Sequence, residues 1–397
     1  MTTALYTAFD LYPSPKGAAT HIYHMTKAMA KVFDAVSIYT LASGTPDHFP
    51  FLEHQTLHSF ESQQTNYLHR AEAFQQWLSE QTATQYYDFY HFRDIWGGQA
   101  ILEQAVSAPV LFEVNGWPSI EIPYRYAAVG KATLKKLEEL EQYCMEEADL
   151  LLCPSKVIRQ NIIKRGIPED KILYLPNGAD LPQKSPYQIP SLPNNYIVYF
   201  GALQDWQGFG TLLQAMSYLR DIPDLHLVVC ASQKEKYSRE YQKMAWKNGV
   251  GHRVLWFHQL TKPALSAVLQ GALLSVAPLS ECYRNLEQGC SPLKIFESLA
   301  HQVPVVASRI PAVEEFITHG KTGHLVRADR PAELSRAIRL LLEYPAYRQQ
   351  LAKTAYEHLK KHFLWDTLED RMGGIYEGQL RKEAVEPLNY TFSELNR

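Results

Sequence analysis

Short apolar runs alternate along this chain with segments in which apolar residues recur every three or four positions. Such runs predict buried strands, and the segments between them predict amphipathic helices. Because the two patterns alternate, the sequence predicts an α/β fold with two mostly parallel sheets. The predicted strands of the first half are 4–9, 35–41, 86–92, 109–114, 150–153 and 172–175. Those of the second half are 196–200, 225–230, 254–257, 273–277, 303–307 and 324–326.

A segment without periodicity separates the two halves. Its sequence, PNGADLPQKSPYQIPSLPNN, is rich in proline, asparagine and serine, which is typical of a linker. We therefore predict an N-terminal domain of 1–181, a linker of 182–189 and a C-terminal domain of 190–362. A helical run at 331–362 precedes a last helical segment that begins at 363. Ligands bind beyond the carboxyl ends of parallel strands, so a cleft between two such domains is the expected reaction site.

The composition is that of a soluble globular protein. Among the 397 residues, 46% are hydrophobic and 20% are charged, and the net charge of −3 gives no general attraction to nucleic acid. The five cysteines show no Cys-x-x-Cys spacing, which favours reduced thiols. The N-terminus lacks the pattern of a signal peptide, and no stretch has 18 consecutive apolar residues. A cytoplasmic location is expected, with membrane contact only from the surface.

The stretch EQGCSPLKIFESLAH contains the first candidate for a binding site. Ser291 before Pro292 predicts a helix start with the serine as N-cap. The backbone N–H groups of Leu293 and Lys294 would then be unpaired, and the lysine would face the positive end of the helix dipole. A bound diphosphate satisfies these groups. The alternative is that Lys294 pairs with Glu297 along one face of the helix.

Several segments resemble the signature of one enzyme family. They are SPLKIFESLAHQVPVVASRIPAVEEFI with HGKTGHLV, LLLCPSKVIRQNIIKRGIPEDKILYLPNGAD, and YFGALQDWQGFGTLLQAM. Together they are similar to the family-four retaining glycosyltransferases of the GT-B fold, in the right order over nearly the whole chain. The resemblance implies two Rossmann-like doubly wound domains that face each other across a cleft. The C-terminal domain would hold a nucleotide-sugar donor and the N-terminal domain the acceptor, with the final helical segment, 363–397, packed back on the first domain.

The resemblance also implies donor contacts around this helix. Ser291, Leu293 and Lys294 occupy the segment that contacts the diphosphate, and Glu297 matches the glutamate that binds the ribose. Family members carry a second glutamate eight residues earlier, where this chain has Gly289. The carboxylate that helps to hold the donor sugar is therefore missing at that position.

A second departure from the family lies in GALQDWQG. Relatives often have an arginine and a lysine here, whereas this chain has no cation between Gly201 and Gly208, and Gln207 stands at the usual place of the lysine. Lys294 is a candidate for the missing charge, and Arg284 is another. The alternative for Arg284 is an exposed loop residue.

In the first domain, Gly17 lies between a strand and a helix, where the family has a glycine loop close to its substrates. In many relatives a histidine stands where this chain has Asn115, which cannot exchange a proton but can orient a substrate. Glu113 is its closest ionisable neighbour, and the alternative for Glu113 is a structural carboxylate. Arg93 either binds an anionic acceptor or pairs with Asp94.

The predicted function is retaining transfer of a sugar from a nucleoside diphosphate sugar to a hydroxyl of a saccharide or lipid-linked glycan. Because the sequence has no metal-ligand cluster, no metal cofactor is expected. Lys131, Lys135 and Lys136 lie on a predicted helix of the kind that meets anionic lipid in membrane-associated relatives, but neighbouring glutamates favour a solvated face. Two alternatives remain: a nucleotide-sugar epimerase, or a domain pair that has lost catalysis and acts as a binding partner.

Overall fold

The computed structural model describes residues 1–43, 49–50, 52–183, 187, 189 and 192–381. Within these residues the chain forms two compact units. Of the described residues, the first unit contains those of 1–176 and 366–381, and the second contains those of 177–365. Of the predicted linker, residues 184–186 and 188 lie outside the described part, as does 382–397 of the predicted C-terminal segment.

The first unit is built on a parallel sheet of seven strands in the order β3-β2-β1-β4-β5-β6-β7. The helices α1 to α6 connect these strands. The strands are β1 Thr3–Leu11, β2 Ala35–Leu41, β3 Gln55–Phe60, β4 Phe89–Phe92, β5 Val110–Glu113, β6 Leu150–Cys153 and β7 Ile172–Tyr174. The helices are α1 Gly17–Ala30, α2 Tyr67–Thr82, α3 Ile95–Leu102, α4 Pro118–Arg125, α5 Lys131–Glu147 and α6 Lys156–Lys164.

The second unit contains a parallel sheet of six strands in the order β10-β9-β8-β11-β12-β13. Its strands are β8 Tyr196–Gly201, β9 His226–Ala231, β10 Val254–His258, β11 Leu274–Ala277, β12 Val305–Arg309 and β13 His324–Arg327. Its helices are α7 Phe209–Ser217, α8 Arg239–Lys247, α9 Lys262–Gly271, α10 Leu293–Ala300, α11 Pro311–Glu314, α12 Pro331–Glu343 and α13 Pro345–His362. The α/β class with two parallel sheets is confirmed.

Two elements differ from the sequence prediction. Strand β3 was missed because its sequence, QTLHSF, has no apolar run; it lies at the edge of its sheet and no residue in it is fully buried. The predicted helical run at 331–362 is two helices, since α12 ends at Glu343 and α13 begins at Pro345. Proline has no N–H for a helix interior but fits the first position of a new helix.

The last helix, α14 Trp365–Leu380, belongs to the first unit apart from its first residue. Its Glu369 is buried and lies 2.8 Å from Nδ1 of His24, 2.9 Å from Nζ of Lys27 and 3.0 Å from Nζ of Lys31, all from α1 or its C-cap. About two turns further on, the Tyr376 ring is 5.3 Å from that of Phe89 in β4. Charge pairing and aromatic packing therefore both attach α14 to this unit.

Candidate functional site

Helix α10 begins one residue later than the sequence predicts. Its first residue is Leu293 and Pro292 is the N-cap, so the prediction of Ser291 as N-cap was wrong. The Ser291 hydroxyl instead accepts a hydrogen bond of 2.9 Å from the backbone N–H of Asn177, whose side-chain amide donates to the Ser291 carbonyl at 2.7 Å. Ser291 therefore fixes the loop before the helix. The N–H groups of Leu293 and Lys294 still lie in the first turn, where no intrahelical acceptor exists.

The side chain of Lys294 lies beside the end of β8. Its Nζ donates to Oε1 of Gln207 at 2.5 Å and lies 4.4 Å from the ring centroid of Tyr199. A Cβ atom added to Gly201 would stand 3.5 Å from Cε of Lys294, an ordinary van der Waals contact, so Gly201 lies directly beside the lysine side chain. The structure thus brings together Lys294, Gln207 and Gly201, which are far apart in sequence.

Lys294 has no carboxylate partner. Within the described residues it makes no ion pair, so the predicted alternative of a Lys294–Glu297 pair was wrong. Burial lowers the pKa of its ammonium to about 7, although the Cys290 thiol and Glu297 act in the opposite direction. Near neutral pH the site therefore holds a lysine that readily gains or loses its proton, and an anion brought to it would favour the protonated form.

Glu297 lies one turn further along α10 and is half-buried. Burial raises the pKa of its carboxyl to about 7, while the nearby Lys262 and Lys294 charges lower it and Asp180 raises it. No residue of the described ranges hydrogen-bonds its carboxylate. A half-buried carboxylate with free acceptor capacity suits a ligand that carries hydroxyl groups.

Arg284 begins a short π-helical turn, Arg284–Gln288, in the segment that leads to α10. It is half-buried, its guanidinium stands 5.0 Å from the ring centroid of Trp206, and its Nη1 donates to Oδ1 of Asn285 at 3.1 Å. The buried Asn285 amide donates to the carbonyls of Trp206 and Ser280, both at 2.8 Å. Arg284 is therefore packed against the segment that follows β8, and the alternative of an exposed loop residue was wrong.

Gly289 has a backbone conformation that favours glycine. Its φ is 75° and its ψ is −176°, and the residue is buried. Residues with a Cβ rarely adopt a positive φ, so a glutamate would be strained in this loop. The absence of a glutamate at position 289 is therefore consistent with the backbone conformation of this residue.

In the first unit, Glu113 is 1% exposed at the carboxyl end of β5 and is surrounded by donors. The hydroxyl of Tyr6 donates to it at 3.1 Å, and Nε of Arg93 donates at 3.0 Å. Nε2 of His21 lies 2.9 Å from one carboxylate oxygen and Nε2 of His91 lies 3.3 Å from the other. Burial would raise the pKa of this carboxyl, but His21, His91 and Arg93 hold it well below its ordinary value.

Asn115 follows β5 and is half-buried. Its side-chain Nδ2 donates to Oε1 of Glu113. Arg93 binds Glu113 and also Asp10, with Nη1 2.7 Å from Oδ2, instead of pairing with Asp94; its role toward an anionic acceptor stays a prediction. Asp94 instead caps α3 by accepting from two backbone N–H groups.

Gly17, the glycine predicted to lie close to the substrates, is the first residue of α1 and follows the N-cap residue Lys16.

The sequence interpretation missed several residues of these clusters. Tyr199 in β8 looked like an ordinary strand residue, and His21 looked like a surface or packing residue. Asn177 was assigned to a linker, although an Asn-Gly pair next to a predicted strand is a signal of specific loop geometry. The contact between His91 and Tyr376 was also missed. The Tyr376 hydroxyl lies 2.8 Å from Nδ1 of His91, and no signal in the sequence connects two residues that are 285 positions apart.

The described part of the chain contains neither a metal-ligand cluster nor a helix that could cross a membrane. No group of three or more His, Cys, Asp and Glu side chains there could hold a metal ion. No helix there combines the length and the apolar character needed to cross a membrane.

The chain matches two family profiles. The family described as Glycosyltransferase Family 4 matches residues 15–183, and the family described as Glycosyl transferases group 1 matches residues 185–358. The D-inositol 3-phosphate glycosyltransferase of Corynebacterium diphtheriae is 24% identical over 255 residues, which are 59% of this chain and 57% of that protein. The lipopolysaccharide core biosynthesis mannosyltransferase LpcC of Rhizobium leguminosarum is 25% identical over 264 residues, 64% of this chain and 69% of that protein.

Solved structures are similar over nearly the full length. Sucrose-phosphate synthase from Thermosynechococcus elongatus has a TM-score of 0.78 at 18% identity and covers 96% of this chain and 100% of its own. The Anabaena protein HepE, solved with UDP-glucose, has a TM-score of 0.76 at 17% identity, with 95% and 100% covered. The fold is therefore the GT-B fold of glycosyltransferases. The chain belongs to glycosyltransferase family four. The match to the Corynebacterium relative spans little more than half of that protein's length.

Proposed function

We propose that this protein transfers a sugar from a nucleoside diphosphate sugar to a hydroxyl acceptor, with retention of the anomeric configuration. Membership of family four supports transfer of a sugar. The observation that carries the donor assignment is Lys294: a half-buried ammonium without a carboxylate partner in the described chain, at the first turn of α10. The acceptor is a saccharide or a lipid-linked glycan, in the synthesis of a polysaccharide, glycolipid or glycoconjugate.

The donor diphosphate would lie at the start of α10. There it meets the N–H groups of Leu293 and Lys294, the positive end of the helix dipole and the lysine ammonium. The leaving diphosphate gathers negative charge as the bond to the sugar breaks, and these groups stabilise that charge in the transition state. Since the chain itself supplies the positive charge, we propose that the reaction needs no metal ion. Arg284 is the second cation that could approach the diphosphate.

The ribose would lie one turn further along α10, against Glu297. Two neighbouring hydroxyl groups can donate to one carboxylate, and this carboxylate has no hydrogen bond of its own within the described chain. The HepE structures contain UDP or UDP-glucose, so uridine nucleotides are the first donors to test. In this arrangement Gly201 and Gln207 contribute indirectly, because they fix the place of the Lys294 ammonium.

Turnover with known donors tests the proposal. UDP-, GDP-, ADP- and TDP-sugars are incubated with the enzyme, chelator and a panel of saccharide and lipid-linked acceptors, and products are analysed by NMR. We expect one donor class to give a glycoside with the anomeric configuration of the donor. An inverted product would contradict retention, and a need for added metal would contradict the metal-free site.

The same experiment separates the two alternatives. Conversion of the donor sugar to its epimer without any acceptor would identify an epimerase. Binding of a nucleotide sugar in a thermal-shift assay with no turnover across the acceptor panel would identify a domain pair that has lost catalysis.

Peripheral contact with a membrane is a further part of the proposal. On α5, Lys135 is already paired with Glu139 at 3.5 Å. The exposed face of α8 carries Arg239 and Lys247, which make no ion pair within the described chain, beside Trp246, whose surface is 66% exposed. Basic residues next to an exposed indole suit an anionic lipid interface.

We expect binding to phosphatidylglycerol vesicles that is weakened by salt. The double variant Arg239→Ala/Lys247→Ala should lower vesicle affinity at least tenfold, because each basic residue near an anionic surface contributes about 1 kcal/mol. Co-sedimentation measures the affinity, and Lys131→Ala/Lys135→Ala on α5 is the matched control. A larger loss in the control would assign the contact to α5 instead of α8.

A further inference from the structure

We propose that Glu113 is a positioning residue. Its carboxylate holds the carboxamide of Asn115 so that the carbonyl oxygen, and not the NH2 group, is presented to the substrate. Asn115 then accepts a hydrogen bond from a substrate hydroxyl. This inference rests on the proposed glycosyl transfer, and it changes the role of Glu113 from a candidate catalytic group to the support of its neighbour.

The first step is the charge of Glu113. The carboxyl is almost completely buried, which would keep it protonated if it stood alone. The Arg93 guanidinium and the hydroxyl of Tyr6 donate to it, and the rings of His21 and His91 lie within 3.3 Å. Their combined effect keeps the pKa well below the ordinary value. Glu113 is therefore an ionised carboxylate, which can only accept hydrogen bonds.

The second step is the orientation of Asn115. A carboxamide has one donor end and one acceptor end, and only the NH2 end can face an acceptor-only carboxylate. Nδ2 accordingly donates to Oε1 of Glu113. The carbonyl Oδ1 must point the other way, and among the described residues nothing donates to it. Since Asn115 follows the carboxyl end of β5, this free acceptor lies at the edge where a parallel sheet binds its ligands.

The third step is the rigidity of the support. The groups around Glu113 come from separate elements: Tyr6 from β1, His21 from α1, and His91 from β4. Nδ1 of His91 is in turn 2.8 Å from the hydroxyl of Tyr376 in α14. Burial lowers the pKa of His91, and its Nε2 lies 3.3 Å from the Glu113 carboxylate on the opposite side of the ring from Tyr376. A carboxylate held from so many sides can fix the polarity of the side chain it binds.

The histidine that stands at this position in relatives provides a test of the polarity. A neutral imidazole that donates one N–H to Glu113 presents its other nitrogen as an acceptor, as Asn115 presents Oδ1. We therefore expect Asn115→His to keep activity within about fivefold of the wild type. Asn115→Leu, which removes the acceptor, should lower kcat at least tenfold while UDP affinity, assigned to the second unit, changes less than twofold.

Glu113→Gln is the decisive variant, because its NH2 group is a donor where the carboxylate only accepts, so the side chain no longer dictates the orientation of Asn115. We expect kcat of Glu113→Gln to fall at least tenfold with unchanged UDP affinity. The double variant Glu113→Gln/Asn115→His should have no higher kcat than Glu113→Gln alone. The matched control is Glu141→Gln, another buried glutamate of the same unit, which binds Ser119 and Arg165. Equal losses of kcat in Glu113→Gln and Glu141→Gln would overturn the positioning role.

A measurement without turnover keeps this inference separate from the proposed function. In NMR spectra of protein labelled at asparagine, one side-chain N–H proton of Asn115 should be shifted downfield and protected from exchange, and Glu113→Gln should abolish both effects. If the wild type turns over no donor, the proposed function fails while this signal still decides the orientation. An unprotected Asn115 amide in the wild type would refute the inference.

Discussion

Lys294→Ala should weaken binding of the donor nucleoside diphosphate about ten- to hundredfold, because a hydrogen bond to a charged group contributes about 1.5–3 kcal/mol. The loss should be the largest of any single donor-site variant, since Lys294 is a cation without a carboxylate partner in the described chain. Titration calorimetry with UDP, or with the diphosphate that the donor screen selects, measures it. The turnover rate should fall as well, because the same charge faces the leaving group.

The pH dependence gives an independent check of the same residue. A bound diphosphate stabilises the protonated lysine, whose pKa in the free protein is about 7. The lysine contribution to affinity should therefore be largest below pH 7 and fall as pH rises through the pKa of the free site. Lys294→Ala should remove this fall and leave the contribution of Glu297, whose pKa burial also raises to about 7. Lys353→Ala, an exposed lysine on α13, is the control that should change nothing.

Glu297→Gln separates the ribose contact from the phosphate contact. It should weaken the nucleoside diphosphate and its sugar conjugate by the same factor, since the carboxylate is assigned to the ribose that both share. A loss of affinity seen only with the sugar conjugate would contradict the assignment of Glu297 to the ribose. For the Lys294→Ala variant, unchanged affinity for the nucleoside diphosphate would contradict the assignment of Lys294 to the phosphate site.

Glu369→Ala should lower the free energy of unfolding of the first unit by about 3–5 kcal/mol, because removing one member of a buried ion cluster leaves the others uncompensated. Glu369 is fully buried against His24, Lys27 and Lys31. Urea denaturation followed by a probe in this unit measures the change. Glu377→Ala is the control in the same helix, since its pair with Arg381 at 3.6 Å is exposed and should contribute less than about 1 kcal/mol.

The pH dependence of this effect has a defined sign. Burial raises the pKa of Glu369, but hydrogen bonds from His24, Lys27 and Lys31 outweigh it and the pKa is lowered. The stabilisation is therefore present above the pKa of the unfolded chain, about 4.3, and is lost as pH falls through the lower value of the folded state. The difference between the wild type and Glu369→Ala should narrow on acidification, and a constant difference would contradict the ionised cluster.

Most of the fold could be predicted because short runs of apolar residues in the sequence indicate buried strands. Strands β6, β8 and β11 were predicted to within one residue, since parallel strands inside a sheet are buried and form short apolar runs. Strand β3 was missed because it lies at the edge of its sheet, where a strand can form without a run of apolar residues. The start of α10 was misplaced because the Ser291 hydroxyl has a partner, Asn177, that is 114 positions away in sequence.

The site was predictable where function depends on a local motif and unpredictable where it depends on distant contacts. The phosphate-facing turn of α10 follows from a short sequence. The bond between Lys294 and Gln207 spans 87 positions, and that between Glu113 and Arg93 joins β5 to the residue that follows β4. Only the folded chain shows that Gln207 receives the lysine and that Glu113 supports Asn115.

The path of the chain through its two units also has a consequence for biosynthesis. Residues 1–176 leave the ribosome first, but their unit is completed only by α14, after the whole second unit has been made. Until then Phe33, Phe89 and the cations of α1 lack the cover that Tyr376 and Glu369 provide. The first unit to appear is thus the last to be finished, and a nascent chain halted before residue 365 would carry an exposed apolar face of the kind that chaperones recognise.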